Sequence, residues 1–222
     1  MNATATGGVP LRIDFVSDVV CPWCAIGLAS LERALERMQG EIQAELHFRP
    51  FELNPQLPPE GEDIAEHLQT KYGLSPAQLA EGHERIRQRG AELGFTFAAD
   101  RRRIYNTFDA HRLLYWARLE GSQVALKHAL LRAYFTDGRD VSDHDTLVHI
   151  AGMAGLAPDR AHDILASDAY AAEVRAEQQL YSRKGINAVP AVIIEQRDLI
   201  SGGQPIEVFE RALRQIAERK TG

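Results

Sequence analysis

The sequence predicts an α/β fold in which a sheet domain is divided by a long run of helices, and three observations predict it. The hydrophobic period changes from two to between three and four across residues 11 to 38, as a strand gives way to a helix. Two short apolar runs and one amphipathic segment close the chain after Pro190, as a strand pair and a helix would. Between these ends, most of residues 55 to 184 reads as successive helices. At 222 residues the chain is long enough for one large domain or for a core domain carrying a sizeable insertion.

In order along the chain, residues 1 to 10 are small, polar and Gly-rich, the composition of a frayed tail. Leu11, Ile13 and Phe15 alternate with Arg12 and Asp14, and Val16 to Val20 continue that strand. Past Cys21, the residues Cys24, Leu28, Leu31, Leu35 and Met38 share one helix face, with Pro22 at the first helical position and Gly40 at the end. Ile42, Ala44, Leu46 and Phe48 alternate with Gln43, Glu45, His47 and Arg49 in a second strand. A strand, helix, strand unit of this size calls for a parallel pair with a right-handed crossover. Pro55, Pro58, Pro59 and Gly61 mark a break.

Helices are expected next over residues 63–72, closed by Gly73, and from Pro76, capped by Ser75, to about Leu93. Residues 107–120 place Phe108, His111, Leu114 and Tyr115 on one face. Residues 122–135 place Ala125, Leu126, Ala129, Leu130, Ala133 and Tyr134 on another. Three more helices are expected near 143–155, 158–166 and 169–184. Ala191 to Ile194 read as a buried strand, residues 195–198 as a hairpin turn, and Leu199-Ile200 as the returning strand. Gly202-Gly203 breaks it, and Pro205 opens a final helix with Ile206, Phe209, Leu213 and Ile216 on one face. The expected division is residues 11–54 and 185–220 for the two parts of the core and 55–184 for the helical insertion.

Composition excludes several classes of function. With 45% hydrophobic and 25% charged residues the chain reads as an ordinary soluble protein, and 31 acidic against 25 basic side chains argue against nucleic acid as a partner. Arg85, Arg87, Arg89 and Arg101 to Arg103 are expected on solvated helix faces beside Glu84 and Glu92. Residues 1 to 10 hold no basic residue and no apolar run, so neither an export signal nor a membrane anchor is expected, and the expected location is the cytoplasm.

Both cysteines of the chain lie in Cys21-Pro22-Trp23-Cys24. A pair with two residues between its members can close on itself and open again, and a reducing compartment makes such a pair redox-cycling rather than structural. Half of a zinc site, completed by residues such as His47, His67 or His83, lacks supporting spacings. An inert disulfide closing so small a loop stabilises little, and two small buried apolar residues remain the plainest alternative. The strand-to-helix context places the Cys21 sulfur at a helix N-terminus, where unpaired N–H groups favour a thiolate. Cys24, one turn further in, is expected to be more buried. Cys21 then forms the mixed disulfide and Cys24 resolves it.

The order of elements, with Cys-x-x-Cys after the first strand and Val189-Pro190 before the third, resembles a thioredoxin-like fold with a large inserted all-helical domain, as in the DsbA superfamily. Asp18 to Cys24, Ile26-Gly27, Arg49 to Pro55, Lys71 to Gly73, Asn106-Thr107, Ala110 to Leu113, Arg132 to Phe135, Gly185-Ile186 with Val189-Pro190, and Ile200 to Gly202 with Gln204-Pro205 resemble its FrnE-like branch. Ala25, Ala191 and Val192 depart from that pattern, which bears on substrate preference.

The resemblance implies a dithiol–disulfide oxidoreductase or isomerase with Cys21, Cys24 and Pro190 as catalytic residues. It also implies a cis Val189–Pro190 bond facing the cysteines, with the backbone of Val189 pairing with substrate. Pro22, Trp23, Val189, His111 and Asn106 are the expected substrate contacts. Trp23 tunes the couple, and without a histidine at that position the pair is expected to be less oxidising than in periplasmic relatives. Asp18 is either a proton relay for Cys24 or a turn carboxylate. His111 and Asn106 are expected to line the groove between core and bundle; a hydrogen-bonded core histidine is the alternative for His111. No metal or nucleotide cofactor is expected. The partners are a protein disulfide or small thiol, glutathione included as a candidate co-substrate, and the chain is a monomer or homodimer. Two rival readings are a glutathione-dependent transferase or isomerase of the kappa or hydroxychromene-carboxylate isomerase type, which uses a serine near Cys21 and lacks the second thiol, and a redox-switched holdase-like binding protein.

Overall fold

The computed structural model describes residues 7–58, 60–99 and 102–222. Strand β1 (Val9–Ser17) runs directly into the cysteine turn and helix α1 (Pro22–Arg37). Strand β2 (Ile42–Pro50) returns parallel to β1, with Ile13 opposite Leu46 and Phe15 opposite Phe48. The strand begins earlier than the alternation from Leu11 suggests, because the backbone N–H of Val9 pairs with the Glu41 carbonyl at 2.8 Å. Residues 1–6 of the expected tail lie outside the described residues.

A two-residue antiparallel ladder joins β3 (Glu62–Asp63) to β4 (Arg103–Ile104), bracketing α2 (Ile64–Tyr72) and α3 (Pro76–Glu92). Pairs this short carry no readable period. Arg103 therefore lies in a strand, with its guanidinium on the Gly61 carbonyl at 3.0 Å, and Arg102 is not helical either; the expectation of a helical face holds only for the Arg85 to Arg89 set, and Arg101 lies outside the described residues. The caps of α2 and α3 are where the sequence puts them. The Asp63 side chain accepts from Ala65 N, Gly73 takes a left-handed conformation, and Ser75 and Gln78 form a reciprocal capping box.

Helices α4 (Phe108–Leu119), α5 (Gln123–Phe135), α6 (His144–Met153), α7 (Pro158–Leu165) and α8 (Ala171–Arg183) complete the insertion. Strand β5 (Ala191–Ile194) then pairs antiparallel with β1 and with β6 (Asp198–Ser201), giving the sheet order β2-β1-β5-β6, and α9 (Ile206–Thr221) closes the chain. Leu11, Ile13, Phe15, Val192 and Ile194 form one core cluster with Leu28, Leu31, Phe209 and Leu213 of α1 and α9. On the other side, Val16, Ala191 and Ile193 pack on Tyr181 and Ile186. The first cluster continues into the insertion through Leu113, Leu126, Leu130 and Tyr134, so core and insertion share apolar contacts.

The buried face of α5 is rotated from the expected one. Ala125 is exposed, whereas Gln123, Leu126, Lys127, Leu130, Leu131 and Tyr134 are buried. Gln123 explains the rotation. Its Oε1 accepts from Phe48 N at 3.0 Å and its Nε2 donates to Phe48 O at 3.0 Å, so a side chain completes the outer edge of β2 and turns the following residues inward.

Candidate active site

Cys21 is the N-cap of α1, with Pro22 in the first turn and no side chain capping the helix, so the unpaired N–H groups of that turn lie beside the sulfur. The Cys24 and Ala25 N–H groups donate to the Cys21 carbonyl at 3.0 and 3.3 Å, which sets Cys24 one turn behind. Both thiols are free. Cys24 is wholly buried, and Cys21 is 4% exposed, so the expected contrast in accessibility lies in direction rather than in degree. Burial pushes the Cys24 thiol well above its ordinary range, and the neighbouring Cys21 sulfur pushes the same way.

The Val189–Pro190 bond is cis, as the resemblance implies. Its loop faces the cysteines, and the Cys21 thiol donates to the Val189 carbonyl at 3.8 Å. Two glycines allow this approach. A Cβ on Gly27 would stand 3.1 Å from Pro190 Cγ and 3.2 Å from Gly203 Cα, and one on Gly203 would stand 2.9 Å from the Trp23 carbonyl. Residues Gly27 and Gly203 thus let the start of α1 nest against the loops after α8 and β6.

Cys21, Pro22, Trp23 and Val189 open into a cleft of about 470 Å³ between core and insertion. Leu68, Leu79, Ile86 and Ile104 give it apolar walls, and His67, Tyr72 and Arg85 stand among its polar or amphipathic lining. These lining residues escape a sequence reading, because α2, α3 and β4 meet only through tertiary packing. His111 and Asn106 do not line this cleft. His111 is 2% exposed and bonds the Phe51 carbonyl at 3.0 Å through Nε2, which also lies 3.5 Å from Asp18 Oδ1. Asn106 Oδ1 accepts from Phe108 N at 2.9 Å, at the start of α4. Both hold backbone in place, as a histidine on an apolar face and an amide before a helix commonly do. Asp18 is buried beside the cysteine turn and its Oδ2 accepts from Leu53 N at 2.7 Å.

Arg49 of the Arg49-Pro50-Phe51 stretch is also internal, with Nε on Asp14 at 2.7 Å and Nη1 on Glu177 at 3.3 Å, tying β1, β2 and α8 together. A buried charge that the sequence reading missed is Lys127, wholly enclosed in α5 beside the Phe48 ring. Its signal was its position in the apolar stripe of α5, four residues after Gln123 and three before Leu130.

A family model described as a DSBA-like thioredoxin domain matches residues 12–214. A crystal structure of a probable DsbA oxidoreductase from Streptomyces coelicolor is 36% identical, with a TM-score of 0.87 over 92% of this chain and 89% of that one. The cytosolic disulfide reductase DsbM of Pseudomonas aeruginosa, solved with GSH, is 18% identical with a TM-score of 0.63, over 93% of this chain and 99% of its own. A 2-hydroxychromene-2-carboxylate isomerase is 13% identical with a TM-score of 0.68, over 95% and 98%. The last two share the fold.

Proposed function

We propose, since the chain belongs to the DSBA-like thioredoxin domain family and is an oxidoreductase of the DsbA type, that it exchanges disulfides through Cys21 and Cys24. The observation that carries this reading is the placement of the two thiols. Cys21 faces the cleft and the cis-proline loop, while Cys24 waits one turn behind it without solvent contact.

In the direction that reduces the substrate, the Cys21 thiolate attacks one sulfur of a bound disulfide. The substrate S–S bond breaks, its second sulfur leaves as a thiolate and is protonated, and Cys21 is left in a mixed disulfide. Cys24 then attacks the Cys21 sulfur, forming the Cys21–Cys24 bond and expelling the second substrate thiol, so two electrons have passed from protein to substrate. A thiol reductant such as glutathione runs the same steps backwards to restore the dithiol. Trp23 and Val189 flank the exchange, and the FrnE-like stretches support this branch of the family.

The cleft fits a small disulfide or a short peptide segment with an apolar group. Its volume falls within the range of about 300–1,000 Å³ common for small-ligand sites, with Leu68, Leu79 and Ile86 as an apolar wall and His67 and Arg85 as polar partners. That DsbM was solved with GSH supports a low-molecular-weight thiol as the second substrate. A reducing cytoplasm suits a pair that is recycled by such thiols. Among the described residues, no helix is long and apolar enough to cross a membrane.

Cys24→Ser tests the reading. Incubation with a small disulfide such as oxidised glutathione should leave a stable adduct on Cys21, and multiple turnover should cease. The glutathione-dependent reading, favoured by the shared fold of the hydroxychromene-carboxylate isomerase, predicts instead that Cys24→Ser leaves glutathione transfer or isomerisation intact.

A further inference from the structure

The cleft in front of Cys21 differs in charge from the rest of the chain. The sequence carries a formal net charge of −6, yet no Asp or Glu stands among the described residues that line the cleft, whereas His67, His83 and Arg85 do. The remaining lining is apolar or uncharged, and low-dielectric walls focus the field of the charges they hold. A cleft of this kind favours a negatively charged visitor on a protein that otherwise repels one.

Within the cleft, His67 is already engaged. Its Nδ1 lies 2.7 Å from Glu62 Oε2 and its Nε2 lies 3.0 Å from Asn54 Oδ1. Arg85 is not. It is an exposed residue of α3 in the cleft wall, and among the described residues it makes no ion pair and no hydrogen bond. The next arginines along the same helix are both paired, Arg87 with Glu84 and Arg89 with Glu92, the latter at 2.6 Å. Glu81, one turn before Arg85, lies outside the lining. A guanidinium without a partner gives up nothing to accept a carboxylate, and its fork of N–H groups matches the two carboxylate oxygens.

We propose that Arg85 is a specificity-determining residue that receives a carboxylate of the substrate, so that the preferred substrate of this cleft is a small disulfide bearing a carboxylate. The proposal rests on the dithiol reading above and names the substrate class for it. Cys21 and Arg85 line one cleft of about 470 Å³, so one small molecule can meet both. Leu79 and Ile86, on the same helix as Arg85, cover the carbon skeleton between carboxylate and sulfur. The exchange itself is unchanged: the Cys21 thiolate attacks, the substrate S–S bond breaks, and the second sulfur leaves as a thiolate. Arg85 makes and breaks no covalent bond.

Two aromatic disulfides test the assignment, DTNB and dithiodipyridine. Each releases a coloured product when Cys21 attacks, and only DTNB carries carboxylates. The quantity to read is the ratio of the two first-release rates, DTNB over dithiodipyridine, which cancels any effect on Cys21 itself. In Arg85→Gln the ratio should fall by about fivefold, the upper end for an exposed charge pair. Arg85→Lys, which keeps the charge and loses the fork, should regain part of it. Arg87→Gln removes the same charge from the same helix outside the cleft, and should keep the wild-type ratio. Raising the salt concentration should narrow the gap between wild type and Arg85→Gln. An unchanged ratio in Arg85→Gln overturns the proposal, and so does an equal fall in Arg87→Gln, which marks the general charge of the helix. Absence of a second coloured release from the wild type with either reagent instead contradicts the dithiol reading, whatever the ratio.

Discussion

Asp18 shows how much one side chain holds at this site. Burial pushes its carboxyl up, but the nearby His111 ring, with the Leu53 N–H, outweighs burial and holds it below the usual carboxylate range. A folded-state value below the unfolded one, about 3.9, means that Asp18 stabilises the fold above that pH and loses its contribution as pH falls through the lower folded value. Removing one member of a buried pair is strongly unfavourable, so Asp18→Ala should lower stability by roughly 3–5 kcal/mol at pH 7. Urea unfolding of both proteins should show this gap narrowing toward pH 3; a gap independent of pH contradicts the assignment. At Gly203 a methyl group would press on the Trp23 carbonyl. Gly203→Ala should therefore destabilise by about 1–3 kcal/mol, the usual range for overpacking, and slow the first exchange step, as thermal unfolding and DTNB kinetics would report. That Cys21 and Cys24 meet the Val189–Pro190 loop was legible in the sequence, the cysteines through their spacing and the loop through the family resemblance. The surroundings of Lys127, His111 and Asn106 were not, since a helical residue's role depends on which face its helix turns inward.

At the scale of elements, α5 is fixed to the edge strand of the sheet. Gln123 fixes it to the Phe48 backbone, and Lys127 follows one turn later. Gln123→Ala leaves the Phe48 N–H buried without a partner, a loss of about 1–3 kcal/mol that urea unfolding would report. His128 of the same helix reaches Glu32 of α1, and that hydrogen bond raises the histidine above its ordinary value. The contact is therefore stabilising below the unfolded histidine value, about 6.5, and is lost as pH rises through the higher folded value. His128→Gln should flatten the dependence of stability on pH across that window, measured by urea unfolding at closely spaced pH values. The helices were legible because Asp63, Ser75, Gly73 and Pro76 cap or start them locally. The β3–β4 ladder was not, because two residues cannot display a period.

For the whole molecule, a sheet of order β2-β1-β5-β6 is split in sequence by α2 to α8, yet one cluster of apolar side chains runs through both parts. The split was legible because the strand periods stop at Pro50 and resume after Pro190. The cleft was not, because Leu68, Leu79 and Ile104 converge on Cys21 only after the insertion docks. That docking turns an ordinary Cys-x-x-Cys turn into a site with a largely apolar pocket in front of it. The account stands or falls on whether Cys21 and Cys24 form one reversible couple. A titration of the wild-type protein against glutathione redox mixtures, quenched in acid, alkylated and weighed, tests it directly. The account predicts a single two-electron transition in which the chain loses two hydrogens and both alkylation sites together. A chain that only ever gains one glutathione on Cys21, with Cys24 still open to alkylation at every ratio, would contradict it.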